Sequence, residues 1–441
     1  MTVASLCNDI LVLAVFLLVG FFVRELCKPL QKLFLPSSLI GGLILLLLGQ
    51  QILGVVEVPE SFGSIPSVMI DIVMAATVFG VTINRKKLGS YLDYSCMTMT
   101  SYGMQLGLGV FLGWLLQKVW PGLPDGWGVM GVFSFHGGHG TAAAAGAAFE
   151  KLGIEGNMAV GMVLSTLGLI VAMLVGMIMV NFGIRRGWGT YVKEPKKQPD
   201  YFYGGVLPEE KRVASGHTVT TGISINHLAL QVAWLLTALF IGRKLFGLLG
   251  AYIPFFNELP SVLHGIFGGA ILWQFLKATK LERYVDLKTI KLASGFCLEI
   301  TVFTAMATLD MEFVSTYIVP VLIYTVILAV LTVPLIFYLA YRFCREEWFE
   351  KACMAFGAAT GNTSTGLALV RAVDPDSLSS AGDTHGVYSA IMSWKDVFVG
   401  LTPIWLTSGI GLTCGVGFAM MFGFAAFGFI FFARKNKQTA A

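Results

Sequence analysis

Two glycine-rich segments carry residue types that can bind a small anion. The first reads FSFHGGHGTAAAAGAAFE from Phe133 to Glu150, and the second reads GAATGNTSTGLALVRAV from Gly357 to Val373. Glycine permits unwound backbone, and Thr or Asn can cap the helix that follows. Such helix N-termini favour carboxylates, because their free N–H groups and macrodipole are positive. The candidate substrate-binding residues are therefore Gly137, Gly138, His139, Gly140, Thr141, Asn362, Thr363, Ser364 and Thr365.

Other interpretations of these segments stay open. Glycine and alanine also suit close helix packing inside a membrane. His136 and His139 stand three residues apart, and as a metal pair they would make the chain an intramembrane metalloenzyme. Flexible glycines would hold such ligands poorly, however, and no HEXXH glutamate accompanies them. We therefore expect neither a structural metal nor an enzyme, and His139 either contacts substrate or a proton or is a satisfied turn histidine.

Ionisable residues also interrupt apolar stretches, where they mark ion or proton pathways by default. Glu299 has apolar neighbours on both sides, Asp310 ends a TVFTAMATLD segment, and Asp396 follows Lys395. These three acidic residues, Glu299, Asp310 and Asp396, are the candidates for coupling. The alternatives are an ion pair for Glu299, exposure of Asp310 at a helix end, and neutralisation of Asp396 by Lys395.

The composition indicates the surroundings of these residues. Of 441 residues, 56% are apolar and 13% are charged, whereas soluble domains average about 25% charged. The chain is therefore expected to be an integral membrane protein of the cell inner membrane, surrounded by lipid. Its Lys and Arg residues lie at the ends of apolar runs, unlike a nucleic-acid footprint. The seven scattered cysteines predict no disulfide framework, and no P-loop indicates ATP hydrolysis.

Thirteen apolar runs approach the length of a membrane-spanning helix. The positive-inside rule requires two of them, Gly126 to Phe149 and Phe349 to Val370, to turn back as re-entrant hairpins. The N-terminus then faces outward, and Arg243 with Lys244 is a local exception on the outer side. The other eleven runs are Asp9 to Val23, Pro36 to Val56, Ile65 to Ile83, Leu92 to Gln117, Asn157 to Ile184, Asn226 to Ile241, Leu259 to Leu276, Thr289 to Leu309, Thr316 to Tyr341, Gly386 to Thr407 and Ile410 to Phe432.

A repeat with a constant offset of 224 residues relates the two halves. It pairs Leu-Pro-Ser at 35–37 with 259–261, Thr-Val-Phe at 77–79 with 301–303, and Gly137 with Gly361. Five crossings and one hairpin per half invert the second repeat relative to the first, as in many secondary transporters. The predicted fold is an all-α polytopic membrane protein with two inverted five-helix repeats and one extra C-terminal helix. Its parts are residues 1–183, a polar cytoplasmic linker at 184–225, residues 226–408, and residues 409–441.

The chain resembles the glutamate:sodium symporter (ESS) family from about Leu11 to Leu406. The resemblance rests on LPSSLIGGLIL at 35–45, ATVFG at 76–80, GGHGT at 137–141, AMA at 305–307 and the glycine-rich hairpin at 357–366. It implies inverted repeats with re-entrant loops, a homodimer, and sodium-coupled uptake of glutamate by elevator-like alternating access. Sodium is then expected near Thr141 and Thr365, and Asp396 resembles an acidic residue of the family's last helix.

Departures from the family pattern leave the substrate open. The long linker, the extra last helix, Glu299, Lys395 and the TGNTST turn are atypical. A proton-coupled carrier of another organic anion, coupled through Glu299, is therefore an alternative. A passive anion channel through the two hairpins is a further alternative.

Overall fold

A computed structural model describes residues 3–33, 35–80, 91–192, 208–212, 214, 216–221, 223–253, 256, 261–374 and 378–433. Within these ranges the regular structure is helical and contains no β-strand. Of the predicted linker, residues 193–207, 213, 215 and 222 lie outside the described residues. The N-terminal half contains α1 (Val3–Leu26), α2 (Lys28–Lys32), α3 (Ser37–Leu48), α4 (Ile65–Thr77), α5 (Leu92–Val119), α6 (Met130–Lys151) and α7 (Asn157–Arg185).

The C-terminal half continues the all-helical pattern. It contains α8 (His227–Tyr252), α9 (Ser261–Ala278), α10 (Leu287–Ala307), α11 (Met311–Phe343), α12 (Trp348–Thr360), α13 (Thr363–Val373), α14 (Ala381–Ile391), α15 (Phe398–Thr407) and α16 (Gly411–Gly428). Six of the described helices, α1, α7, α8, α10, α11 and α16, are long and apolar enough to cross a membrane. The predicted multi-pass, all-helical membrane class is confirmed.

Two predicted runs are broken in the structure. The run from Pro36 to Val56 forms a helix only as far as Leu48, because the chain turns at Gly49. The run from Gly386 to Thr407 is divided into α14 and α15 by a 3-10 turn at Ser393–Val397. As a result, α3, α14 and α15 are each shorter than a full membrane span.

Helix α8 is longer than the predicted run, which ended at Ile241. The helix continues past the two basic residues 243 and 244 to Tyr252. Arg243 Nη2 donates a hydrogen bond to Asp71 Oδ2 on α4 at 3.2 Å, and the Asp71 side chain is only 2% exposed. This ion pair accounts for a positive charge at the position that the positive-inside rule disfavoured.

The helices pack in two groups. In the first, which we call the support group, α1 packs on α3, α10 packs on α3 and α4, and α9 packs on α4 and α8. In the second, the hairpin group, α6 packs on α7, α12 packs on α13, and α11 packs on α5 and α12. Contact between the groups is concentrated where α4 and α10 meet α6. The chain is therefore built from two helix layers joined along a narrow seam.

Helix α16 belongs to the hairpin group and lies closely against α5. A methyl group placed on Gly103 would lie 2.7 Å from the Gly417 carbonyl oxygen, and one on Gly107 would lie 3.1 Å from Phe418 N. Glycine at these positions allows the two backbones to approach, as is common between membrane helices. Helix α16 is thus an integral part of the hairpin group, which contains both glycine-rich segments.

Candidate functional site

The first glycine-rich segment is interrupted at one residue. Helix α6 runs through Gly138, whose φ of 64° and ψ of −159° are not helical. This region of backbone space is essentially confined to glycine. The Thr141 side chain packs over the Cα of Gly137, where a side chain would collide with it. The residues after Gly138 therefore start a new helical segment inside the protein.

The second segment is interrupted between α12 and α13, at Gly361 and Asn362. Asn362 Oδ1 accepts a hydrogen bond from Thr365 N at 2.9 Å, and Asn362 N donates to Thr365 Oγ1 at 2.9 Å. This reciprocal capping box satisfies two backbone groups at the start of α13. The Thr365 hydroxyl donates in turn to the Gly357 carbonyl at 2.8 Å. In this structure Thr365, a predicted sodium neighbour, acts as a helix-capping residue.

The two interruptions lie side by side. A methyl group built on Gly138 would lie 3.3 Å from the Gly361 carbonyl oxygen and 3.6 Å from Asn362 Cβ. The N-terminal ends of two helical segments, one from each half of the chain, are thereby brought together. Free N–H groups at such ends attract an anion. The structure thus juxtaposes the central residues of both predicted segments.

The remaining predicted substrate residues surround this junction. Gly140 faces the other helix group, because a methyl group there would lie 2.6 Å from Leu298 Cδ1 on α10. Thr141 is half-buried and Thr363 is exposed. Ser364 lies in α13, and its side chain is outside the described set.

The two histidines of the first segment have different surroundings. His139 is buried, and its Nε2 lies 3.1 Å from Thr166 Oγ1 on α7. Because the Thr166 hydroxyl donates to the Met162 carbonyl, His139 Nε2 is the donor in this pair. The His136 ring instead meets the Tyr102 ring edge-on, with 5.2 Å between centroids. Among the described residues, no group of three or more His, Cys, Asp or Glu side chains could hold a metal ion.

Two residues outside the predicted set, Gln105 and His385, contact the second segment beside its interruption. Gln105 on α5 is fully buried, and its Nε2 donates to the Ala359 carbonyl at 2.9 Å and to Thr332 Oγ1 at 3.0 Å. On α14, His385 Nε2 lies 3.3 Å from Thr363 Oγ1, and its Nδ1 lies 2.8 Å from the Tyr94 hydroxyl. Gln105 could have been found from the sequence, because it is a polar residue inside an apolar run. His385 offered no such signal, because it lies just before a predicted run.

The three coupling candidates are in different places. Glu299 lies on α10 and Asp310 directly follows α10, so both are outside the hairpin group, and both are exposed. No ion pair of Glu299 occurs within the part of the chain that the structure describes. Asp396 lies in the turn before α15 and accepts a hydrogen bond from Lys395 Nζ at 3.0 Å. The turn that carries Asp396 packs on α14, and α14 packs on α12 and α5 of the hairpin group, so Asp396 is the one of the three candidates that lies with this group.

Exposed residues lead away from the junction along one face of α13. Gly137 and Thr363 are exposed, and so are Leu367 and Arg371, which follow Thr363 at intervals of four residues on the same face of the helix. Asp383 near the start of α14 is also exposed. Two charged side chains on this route indicate water instead of lipid.

Carboxylates hold the base of the second segment in place. Glu347, just before α12, accepts hydrogen bonds from the Tyr191 hydroxyl, from Ser380 N at 2.8 Å and from Ser380 Oγ at 2.6 Å. Partial burial raises the pKa of Glu347, but the hydrogen bonds from Ser380 and Tyr191 together outweigh burial and leave this pKa below the ordinary 4.5. Glu350 is fully buried and accepts a hydrogen bond from Thr190 N at 2.7 Å. The segment after α7 is thereby joined to the start of α12, and Glu347 joins that start to Ser380, which follows α13.

Residues 3–374 match the protein-family model described as sodium/glutamate symporter. The chain belongs to the sodium/glutamate symporter family. This family consists of transporters and not of enzymes, so the metalloenzyme alternative has no support. Both interrupted segments lie within the matched residues, whereas α14, α15 and α16 follow them. Comparison with curated proteins gave no match.

Proposed function

We propose that this sodium/glutamate symporter family member carries glutamate, or a related small carboxylate, across the membrane together with sodium. The observation that supports this proposal is the contact of Gly138 with Gly361 and Asn362. Two helix N-termini, each with a partial positive charge, meet inside the protein. Together they can bind a carboxylate, so no buried positive side chain is needed there. The backbone and side chains of Gly137 to Thr141 and Asn362 to Thr365 form the proposed substrate site.

Sodium is held at the same junction by oxygen atoms. Hard cations prefer oxygen ligands, and hydroxyl and carbonyl groups of Thr141, Thr363 and the unwound backbone supply them. Asp396, the third coupling candidate, lies in the same helix group, where its carboxylate is paired with Lys395. Asp310 and Glu299 belong to the support group. They would therefore interact with the bound cation only when the two groups approach each other.

Transport proceeds by alternating access, with the hairpin group moving against the support group. Support comes from the narrow seam between the groups and from the close approach of Gly140 to Leu298. The solvent-exposed face of α13 runs from the junction toward Arg371, and in the predicted topology this end faces the cytoplasm. The conformation is accordingly an inward-open one.

The inverted repeat underlies this movement. Three pairs of helices begin 224 residues apart, at Val3 and His227, at Ser37 and Ser261, and at Asn157 and Ala381. Gly138 and Asn362, where the two segments are interrupted, are also 224 residues apart. Equivalent helices of opposite orientation allow the site to open to either side by exchange of two similar conformations.

Uptake into proteoliposomes tests the function. Purified protein is reconstituted, and radiolabelled glutamate is offered under an inward sodium gradient, an inward proton gradient, or neither. Accumulation above equilibrium only with sodium is the expected result. Accumulation with protons alone would replace sodium coupling by proton coupling, and fast equilibration without accumulation would identify a channel. Competition by unlabelled dicarboxylates ranks the other substrates.

The assembly is a homodimer in the cell inner membrane. Helix α1 carries many exposed apolar side chains, among them Leu11, Val15, Leu18 and Phe22, so it is available for contact with lipid or a second copy. Cross-linking of single cysteines introduced along α1 distinguishes the two. A symmetric dimer gives cross-links at helical spacing, whereas a monomer gives none.

A further inference from the structure

The broken span between α14 and α15 contains a half-buried lysine and a half-buried aspartate side by side. Lys395 Nζ donates to Asp396 Oδ1 at 3.0 Å, and the two side chains are only 16% and 23% exposed. They occupy the 3-10 turn Ser393–Val397, which divides the span in its middle. Both residues follow the part of the chain that matches the family.

This ion pair lies one aromatic ring away from the first interruption. Lys395 Nζ lies 5.9 Å from the centre of the Tyr102 ring, and that ring meets His136 at 5.2 Å. The buried Nε2 of His136 has no hydrogen-bond partner within the described residues. The ammonium group is thus held between the Asp396 carboxylate and a ring that borders the hairpin. The ammonium group therefore provides a positive charge inside the hairpin group, close to the first interruption.

The Asp396 carboxylate in the hairpin group requires a positive partner. An isolated buried carboxylate is very unfavourable, so it is paired, protonated or bound to a cation. Lys395 supplies that charge from the adjacent residue, and an ammonium group already attached to the chain loses no translational freedom when it binds. An exchangeable ion at Asp396 would have to displace it.

We propose that the ammonium group of Lys395 is a resident cation of the carrier, which occupies Asp396 in place of one coupling ion. The inference rests on the proposed sodium-coupled transport and specifies its stoichiometry. The Lys395 and Asp396 pair is neutral and moves with the hairpin group in both directions. One cation fewer is therefore carried per glutamate than if Asp396 bound an ion in each cycle.

Reversal-potential measurements on proteoliposomes test this inference, because they give the number of cations moved per glutamate. Lys395→Met removes the ammonium group but keeps most of the side-chain length, and it is expected to raise that number by one. Lys395→Arg keeps a cation and should leave the number unchanged. Lys288→Met, the same substitution at an exposed position in the first turn of α10, is the matched control and should also leave it unchanged.

The double variant Lys395→Met with Asp396→Asn removes both charges and should return the wild-type number. It also keeps the test decisive if Lys395→Met alone does not fold. An altered number in the double variant would overturn the inference. An unchanged number in Lys395→Met would overturn it as well, and reduced glutamate affinity in that variant would then identify Lys395 as a substrate ligand. Wild-type protein without sodium-driven uptake would instead refute the proposed function, so the two failures are distinct.

Discussion

Gly138 interrupts α6 through its backbone alone, whereas Asn362 and Thr365 interrupt the second segment through side-chain hydrogen bonds. At the first interruption, a left-handed φ of 64° performs the turn. At the second, no residue has a positive φ, and the capping box performs it. Two equivalent positions therefore depend on different physical properties, namely the absence of a side chain and the presence of a polar one. Substitutions should accordingly have different effects at each.

The largest effect is expected for Gly138→Ala. A Cβ atom is strongly disfavoured at this φ and ψ and costs about 1–3 kcal/mol where the backbone cannot relax. The new methyl group would also press on Gly361 at 3.3 Å. Glutamate uptake should fall by about tenfold or more, because 1.4 kcal/mol corresponds to a factor of ten. Initial uptake rates in proteoliposomes provide the measurement.

Gly153→Ala is the matched control for this variant. Gly153 also has a positive φ, of 76°, but it lies in the turn after α6 with no atom within 4 Å of an added methyl group. Backbone strain alone would reduce stability in both variants, as read from the thermal midpoint. Equal loss of uptake in both would show that the junction is not special.

A smaller effect is expected for Thr365→Val, which tests the second interruption. The substitution keeps the shape of the side chain but leaves Asn362 N and the Gly357 carbonyl without the partners they have now. Leaving such buried groups unsatisfied costs about 1–3 kcal/mol. We expect a higher sodium concentration for half-maximal uptake and a lower thermal midpoint. Thr365→Ser, which keeps the hydroxyl, should behave like the wild type. If Thr365→Val also matches the wild type in sodium dependence and thermal midpoint, the capping box does not determine the geometry of the site.

The smallest effect concerns the base of the second segment, and it depends on pH. The base of the second segment is held by Glu347, whose pKa lies below 4.5 in the folded protein. A lowered pKa means that this stabilisation is complete above the pKa of the unfolded chain and is lost as the pH falls through the folded value. The thermal midpoint should therefore drop more between about pH 6 and about pH 4 in the wild type than in Glu347→Gln. Parallel curves for the two proteins would contradict this assignment.

The helical class and the two central segments were predictable from the sequence, for reasons of composition and local chemistry. Apolar runs predict membrane helices because the bilayer sets their length, and glycines at 137, 138 and 140 predict an interruption because no other residue tolerates such backbone. The family was predictable from motifs such as GGHGT, and the match over residues 3–374 confirms it. The inverted orientation of the repeats and the individual site residues stay predictions.

The partners of the site were not predictable, because they are contacts between distant residues. Gln105 reaches Ala359 across 254 positions, and His385 touches Tyr94 across 291. Hydrophobic periodicity carries no information about such pairs. The end of α8 was also predicted wrongly, and the pairing of Arg243 with Asp71 is another contact between distant residues.

The ion pair between Asp71 and Arg243 also has a consequence for biosynthesis. Asp71 is translated 172 residues before Arg243, so its helix is already in the membrane when the arginine emerges from the ribosome. In the predicted topology, which places Arg243 on the outer side, we expect the Asp71 carboxylate to lower the cost of moving that arginine across the bilayer. Insertion of α8 is then expected to depend on α4 of the first half.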